Sequence, residues 1–75
     1  MYAALKCYAT LSALQPENAG HFPLEPDETV ERLIARLGIP GEEVAVVFVN
    51  GRTAPRETVL ADGDRVGLFP VVGGG

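Results

Sequence analysis

Three consecutive glycines, Gly73-Gly74-Gly75, follow the apolar run Phe69-Pro70-Val71-Val72 with no polar linker between them. Lacking Cβ atoms, such a tail holds neither helix nor strand and is thin enough to thread a narrow channel. Its chemistry would be that of a carboxylate delivered to another protein's catalytic centre, where a bulkier side chain at any of the three positions would obstruct entry. The plain alternative is a linker stub. Other reactive groups are sparse. Ser12 and His21 are the only serine and the only histidine, and as nucleophile and base they would have to meet from two neighbouring loops. An exposed loop or edge position is the simpler expectation for His21. The chain shows no Gly-rich loop followed by Lys and Ser or Thr, no dinucleotide fingerprint and no histidine pair on one helix face, so no catalysis of its own is expected.

Cys7 is the only cysteine, so no intramolecular disulfide can form and no Cys/His cluster has zinc spacing, which fits a reducing, cytoplasmic setting. Its phase with Leu5 and Ala9 makes it a small core residue rather than a sulfur relay. Asp62 and Asp64 flank Gly63, but two carboxylates are too few for a calcium site, and a turn is expected; no metal is expected elsewhere. Glu25, Asp27, Glu28 and Glu31 read as a solvated helix start, with contact to a basic partner as the alternative. Arg52, Arg56 and Arg65 flank turns and read as solubilising, or as the rim of a docking face.

The positions of these groups depend on a few short elements. Seventy-five residues suffice for one domain, 1–75, because a chain of this size buries only about 60% of its unfolded surface. Ten acidic against six basic side chains give a net charge of −4, which disfavours nucleic acid and anionic membrane surfaces as partners. Met1 to Lys6 lacks the basic and long apolar stretches of a signal peptide, and the longest apolar run, Val44 to Val49, is too short to span a membrane.

Alternation of Leu5, Cys7, Ala9 and Leu11 with Lys6, Tyr8 and Thr10 predicts a strand over 4–11. His21 to Glu25 reads as a short second strand, placed by Pro23 at a sheet edge. Val30, Leu33, Ile34 and Leu37 recur at helical spacing. Thr29 is suited to cap the helix they mark, and Gly38 and Pro40 to stop it. Val44 to Val49 is a β-branched strand, Asn50-Gly51 a type I′ turn and 52–54 a short return strand. After the turn at 61–64, the last strand runs over 65–72. One helix across one face of a mixed sheet of four to five strands is the expected α+β architecture.

Several of these segments together carry a resemblance: the helix start Thr29-Val30-Glu31-Arg32-Leu33-Ile34, Val49-Asn50-Gly51, Leu60-Ala61-Asp62-Gly63-Asp64-Arg65-Val66, and Leu68-Phe69-Pro70-Val71-Val72-Gly73-Gly74-Gly75. Over nearly its whole length the chain resembles the ThiS/MoaD family of ubiquitin-like sulfur carriers. The resemblance implies a β-grasp fold and a Gly75 carboxylate that an E1-like adenylyltransferase activates with ATP. The acyl-adenylate then becomes a thiocarboxylate, with Gly73 and Gly74 as the slender approach. It implies no permanently bound cofactor, and a molybdopterin synthase large subunit or a thiazole synthase as the acceptor. Sulfur donation in molybdopterin or tungstopterin synthesis is the expected use, with thiamin thiazole synthesis and protein modification through Gly75 as the alternatives; a β-grasp interaction module whose tail does nothing is a further one. By its phase in the last strand Phe69 points away from the helix, where Tyr8 can lie near it; with Val71 these form the expected partner-binding set.

Overall fold

The computed structural model describes residues 1–71; Val72 and the glycines Gly73, Gly74 and Gly75, on which the expected sulfur-carrying terminus falls, lie outside the described residues. Among the described residues the framework is five strands, β1 (Tyr2–Cys7), β2 (Phe22–Pro23), β3 (Val44–Val49), β4 (Arg52–Thr53) and β5 (Arg65–Pro70), and one α-helix, α1 (Val30–Arg36). The sheet order is β2-β1-β5-β3-β4. Central β1 and β5 run parallel, Leu5 opposite Val66 and Cys7 opposite Leu68, while the remaining pairs are antiparallel. As its proline requires, β2 lies at an edge.

The first strand is shorter than the alternation suggests. It ends at Cys7, whose amide donates to Gln15 Oε1 at 2.7 Å. Ala9 then takes φ +51°, and Ala9–Leu14 forms tight 3₁₀ turns that leave Ala9 exposed yet bury Leu11. The alternating pattern therefore continued across a break in the backbone. β5 likewise stops at Pro70 rather than running to 72, and the next amide, Val71, donates to Glu43 O at 3.0 Å.

Both ends of α1 are closed by named groups. A helix leaves its first amides unpaired; here Val30 and Glu31 donate to the carbonyls of Thr58 and Arg56, and Arg32 donates to Thr29 Oγ1 at 3.2 Å. At the other end Gly38, at φ +76°, lets its own amide reach Ala35 O and that of Ile39 reach Ile34 O, a Schellman closure. Val30, Leu33 and Ile34 are buried and Leu37 is half-buried against the same core. They face Ala3, Leu5 and Cys7 of β1, Val44 and Val47 of β3, and Val66 and Leu68 of β5. A register shift between Val44 and Val46 allows Val44 and Val47, three apart, both to face the core.

The acidic stretch is not wholly solvated. Glu25, Asp27 and Glu31 are exposed, but the Glu28 side chain is buried and meets Arg36 in a bidentate pair, Nε to Oε2 at 2.7 Å and Nη2 to Oε1 at 2.8 Å. Glu25 N donates to Glu28 Oε1, Arg36 Nη2 to Pro23 O, and the guanidinium lies 5.0 Å from the Phe22 ring centre. This clamp joins β2, the following turn and α1. Arg56 is also structural rather than merely solubilising: it donates to Gly41 O and Val44 O and pairs with Glu31. Burial pushes the Glu28 carboxyl up, but hydrogen bonds from Arg36 and the Glu25 amide, with the charges of Arg36 and Arg32, outweigh it and hold the group below the ordinary glutamate value.

Two outcomes follow for stability. Leu33→Ala, at a fully buried position, should cost about 2–5 kcal/mol in urea unfolding, a large fraction of what so small a domain holds. Because the folded-state carboxyl of Glu28 is depressed, its pair adds stability that is full above the unfolded-state value and is lost as pH falls through the folded-state value. The urea midpoint should therefore fall on acidification, and the fall should be smaller in Glu28→Gln.

Candidate docking face and family

The face of the sheet turned away from α1 carries the candidate site. Strand alternation sends Lys6 of β1, Gly67 and Phe69 of β5 and Phe48 of β3 to this face. Register sets Lys6 and Phe48 on either side of Gly67, with Val46 opposite Phe69. Tyr8, just past β1, is held by the hydrogen bond that its backbone amide donates to Leu68 O at 3.0 Å. Its ring stacks on Phe69, centroids 4.2 Å apart and planes 4° from parallel; Phe48 meets Phe69 edge-on at 5.3 Å. The Lys6 ammonium lies 5.9 Å from the Tyr8 ring centre.

Gly67 makes the stack possible. A Cβ there would meet Tyr8 Cε2 at 3.3 Å, with Phe48 and Phe69 at 3.8 Å, so the missing side chain is the space over which Tyr8 lies. Aromatic rings, Gly67, Lys6 and Arg65 together line an open groove. Tyr8 and Phe69 thus come together as the alternation in β5 implies. Val71 does not join them in the groove's lining; it stands exposed just beyond β5. Phe48, Lys6 and Gly67 were missed as members of this face. An unbroken apolar run conceals the phase of Phe48, and only the pairing of β1 with β5 sets Lys6 beside Gly67.

The remaining reactive groups are engaged elsewhere. Ser12 Oγ donates to Ala9 O at 2.7 Å, and exposed His21 stacks on Tyr2 at 3.7 Å. Burial pushes the Cys7 thiol up, opposing the thiolate a sulfur relay needs. Asp62 accepts from Tyr2 N, and Asp64 from Asn50 Nδ2 and Ala61 N, so both carboxylates brace turns. Among the described residues no three His, Cys, Asp or Glu side chains gather as metal ligands, and no helix is long and apolar enough to cross a membrane.

The ThiS family model matches residues 9–75, a span that includes the three glycines. The chain belongs to the ThiS family. Its β-grasp fold is shared with SAMP1 from Haloferax volcanii, at TM-score 0.73 and 25% identity over 100% of both chains. It is shared too with a putative molybdopterin converting factor subunit 1 from Pyrococcus furiosus, at TM-score 0.74 and 27% identity over 96% of this chain and 99% of that one. No curated protein matches the chain. The family is thus one of ubiquitin-like sulfur carriers and modifiers.

Phe69→Ala removes both ring contacts of the platform, a loss of about 0.5–1.5 kcal/mol beyond buried area. The Tyr8 ring protons, shielded by the parallel Phe69 ring, should move downfield in its NMR spectrum. The loss of thermal midpoint should stay well below that of Leu33→Ala; a loss as large would assign Phe69 to the core.

Proposed function

We propose that this chain is a sulfur carrier for molybdopterin or tungstopterin synthesis, with Gly75 as the carrying residue. One observation supports this above the others: the family match extends through Gly73-Gly74-Gly75 on a fold that the Pyrococcus furiosus converting-factor subunit shares at 27% identity. A carboxylate is a poor electrophile at neutral pH. An E1-like partner lets a Gly75 oxygen attack the α-phosphorus of ATP, and pyrophosphate leaves. Hydrosulfide released by the donor then displaces AMP from the acyl carbon and loses its proton, leaving a thiocarboxylate whose sulfur is a tethered nucleophile for the pterin precursor on a synthase large subunit. The carrier's own part is to present the tail and to dock. Tyr8, Phe69 and Val71 are the residues proposed for docking, and catalysis belongs to the partners.

A second reading has its own support. SAMP1, a 25% identical neighbour aligned over both full chains, is a small archaeal modifier protein, and a modifier joined through Gly75 needs the same activation but an amine acceptor. Lys6 is the chain's only lysine, which limits chain-building by self-conjugation to that site and the amino terminus. Thiazole synthesis is the third use of the same thiocarboxylate.

Intact-mass spectrometry separates these uses. With ATP, an E1-like enzyme and a sulfur donor, the chain should gain about 16 Da, one oxygen exchanged for sulfur, and the change should map to Gly75. Deleting Gly73-Gly74-Gly75 should abolish the gain without unfolding the domain, and Cys7→Ala should retain it. Sulfur mapped to Cys7, or gained by the deletion variant, refutes the carrier mechanism. Transfer of that sulfur to a pterin precursor, to a thiazole precursor, or replacement of the gain by an isopeptide to substrate lysines decides among the three uses.

A further inference from the structure

The groove's charge is opposite to that of the chain. Ten acidic side chains outnumber six basic ones, yet Lys6 and Arg65 line the groove and no acidic residue does. Two other cations are already spent inside the fold, Arg36 on Glu28 and Arg56 on Glu31. Lys6 and Arg65 lie on the two central strands, with Lys6 opposite Gly67 and Arg65 opposite Ala4, so strand alternation puts both on the aromatic face. Both are exposed, and neither makes a salt bridge among the described residues.

We propose that this groove takes an apolar side chain of a protein partner that is flanked by carboxylates. The proposal rests on the docking role given above to Tyr8 and Phe69, and it adds the chemistry that selects the partner. The apolar part follows from the floor: Tyr8, Phe48 and Phe69 form a fixed platform, with Gly67 leaving the space for the Tyr8 ring. The acidic part follows from desolvation. Any surface that closes over Lys6 and Arg65 strips water from an ammonium and a guanidinium, a cost that opposing carboxylates offset. A partner that is merely apolar meets that cost unrelieved, and a basic one adds repulsion to it. Elsewhere the chain's net charge repels acidic surfaces. The attraction is therefore local, and it fixes which part of the partner lies on this face.

The probes are two short end-blocked peptides, one with leucine between pairs of glutamates and its counterpart with lysines in place of the glutamates. They are titrated into the full chain while its amide NMR signals are followed. At low salt the glutamate peptide should shift the amides of Lys6, Phe48, Gly67 and Phe69. Added salt should weaken the effect, and the lysine peptide should leave those signals in place. The double variant Lys6→Glu with Arg65→Glu should bind the glutamate peptide about tenfold more weakly or worse; its dispersed spectrum verifies the fold. Gly67→Ala, which changes no charge but displaces the Tyr8 ring, should also weaken binding, whereas Arg32→Glu on the helix should not. Equal response to both peptides, no response to either, or binding that survives charge reversal overturns the proposal. The carrier reading fails separately: a peptide response without the mass gain at Gly75 refutes that reading alone, and the mass gain without a peptide response refutes only the groove's assignment.

Discussion

One short helix can cover one face of a sheet, and this shortage of cover governs the molecule. Seven residues make a helix about 10 Å long, while five strands at their usual spacing span about 19 Å. α1 and the loops beside it seal the inner face, where Val30, Leu33 and Leu68 are fully buried. Nothing in the described chain covers the outer face. Its central positions must then be polar, or apolar in an ordered way, and here they are aromatic rings locked against one another over Gly67. The aromatic face is what remains once the core has used the one α-helix among the described residues.

So small a core leaves polar groups near it with few partners to choose from, and the fold assigns each of them. The first amides of α1 go to carbonyls of the 56–58 segment, and Arg56 in turn holds the carbonyls of Gly41 and Val44. Glu28 is buried but answered by Arg36 and by the amide of Glu25. No buried side-chain nitrogen or oxygen lacks a partner among the described residues. Removing Arg36 would leave the buried Glu28 carboxylate without its charge partner, which is why this clamp constrains the β2 edge more firmly than its two residues suggest.

Elements whose signals are local were legible in the sequence. The helix caps at Thr29 and Gly38, the Asn50-Gly51 turn with both residues at positive φ, and the edge position forced by Pro23 all appear where their chemistry places them. The outward phase of Phe69 was legible for the same reason. What escaped depends on contacts between distant residues. The end of β1 is set by Gln15 reaching back to Cys7, and the burial of Glu28 by an arginine eight positions on. The company of Lys6, Gly67 and Phe48 is set by strand pairing, 61 positions apart for Lys6 and Gly67 and 19 for Phe48 and Gly67, to which periodicity is blind.

The order of strand pairing matters for a sheet built in this way. β5 is the last of the described strands, yet it occupies the middle of the sheet, between β1 and β3. Until it is in place, β1 with β2 and β3 with β4 are two separate hairpin-like fragments, each exposing the edge that β5 would pair, and contacts of such wide sequence separation form late. The aromatic face, to which β5 contributes Phe69 and Gly67, therefore comes into being only as β5 enters the sheet.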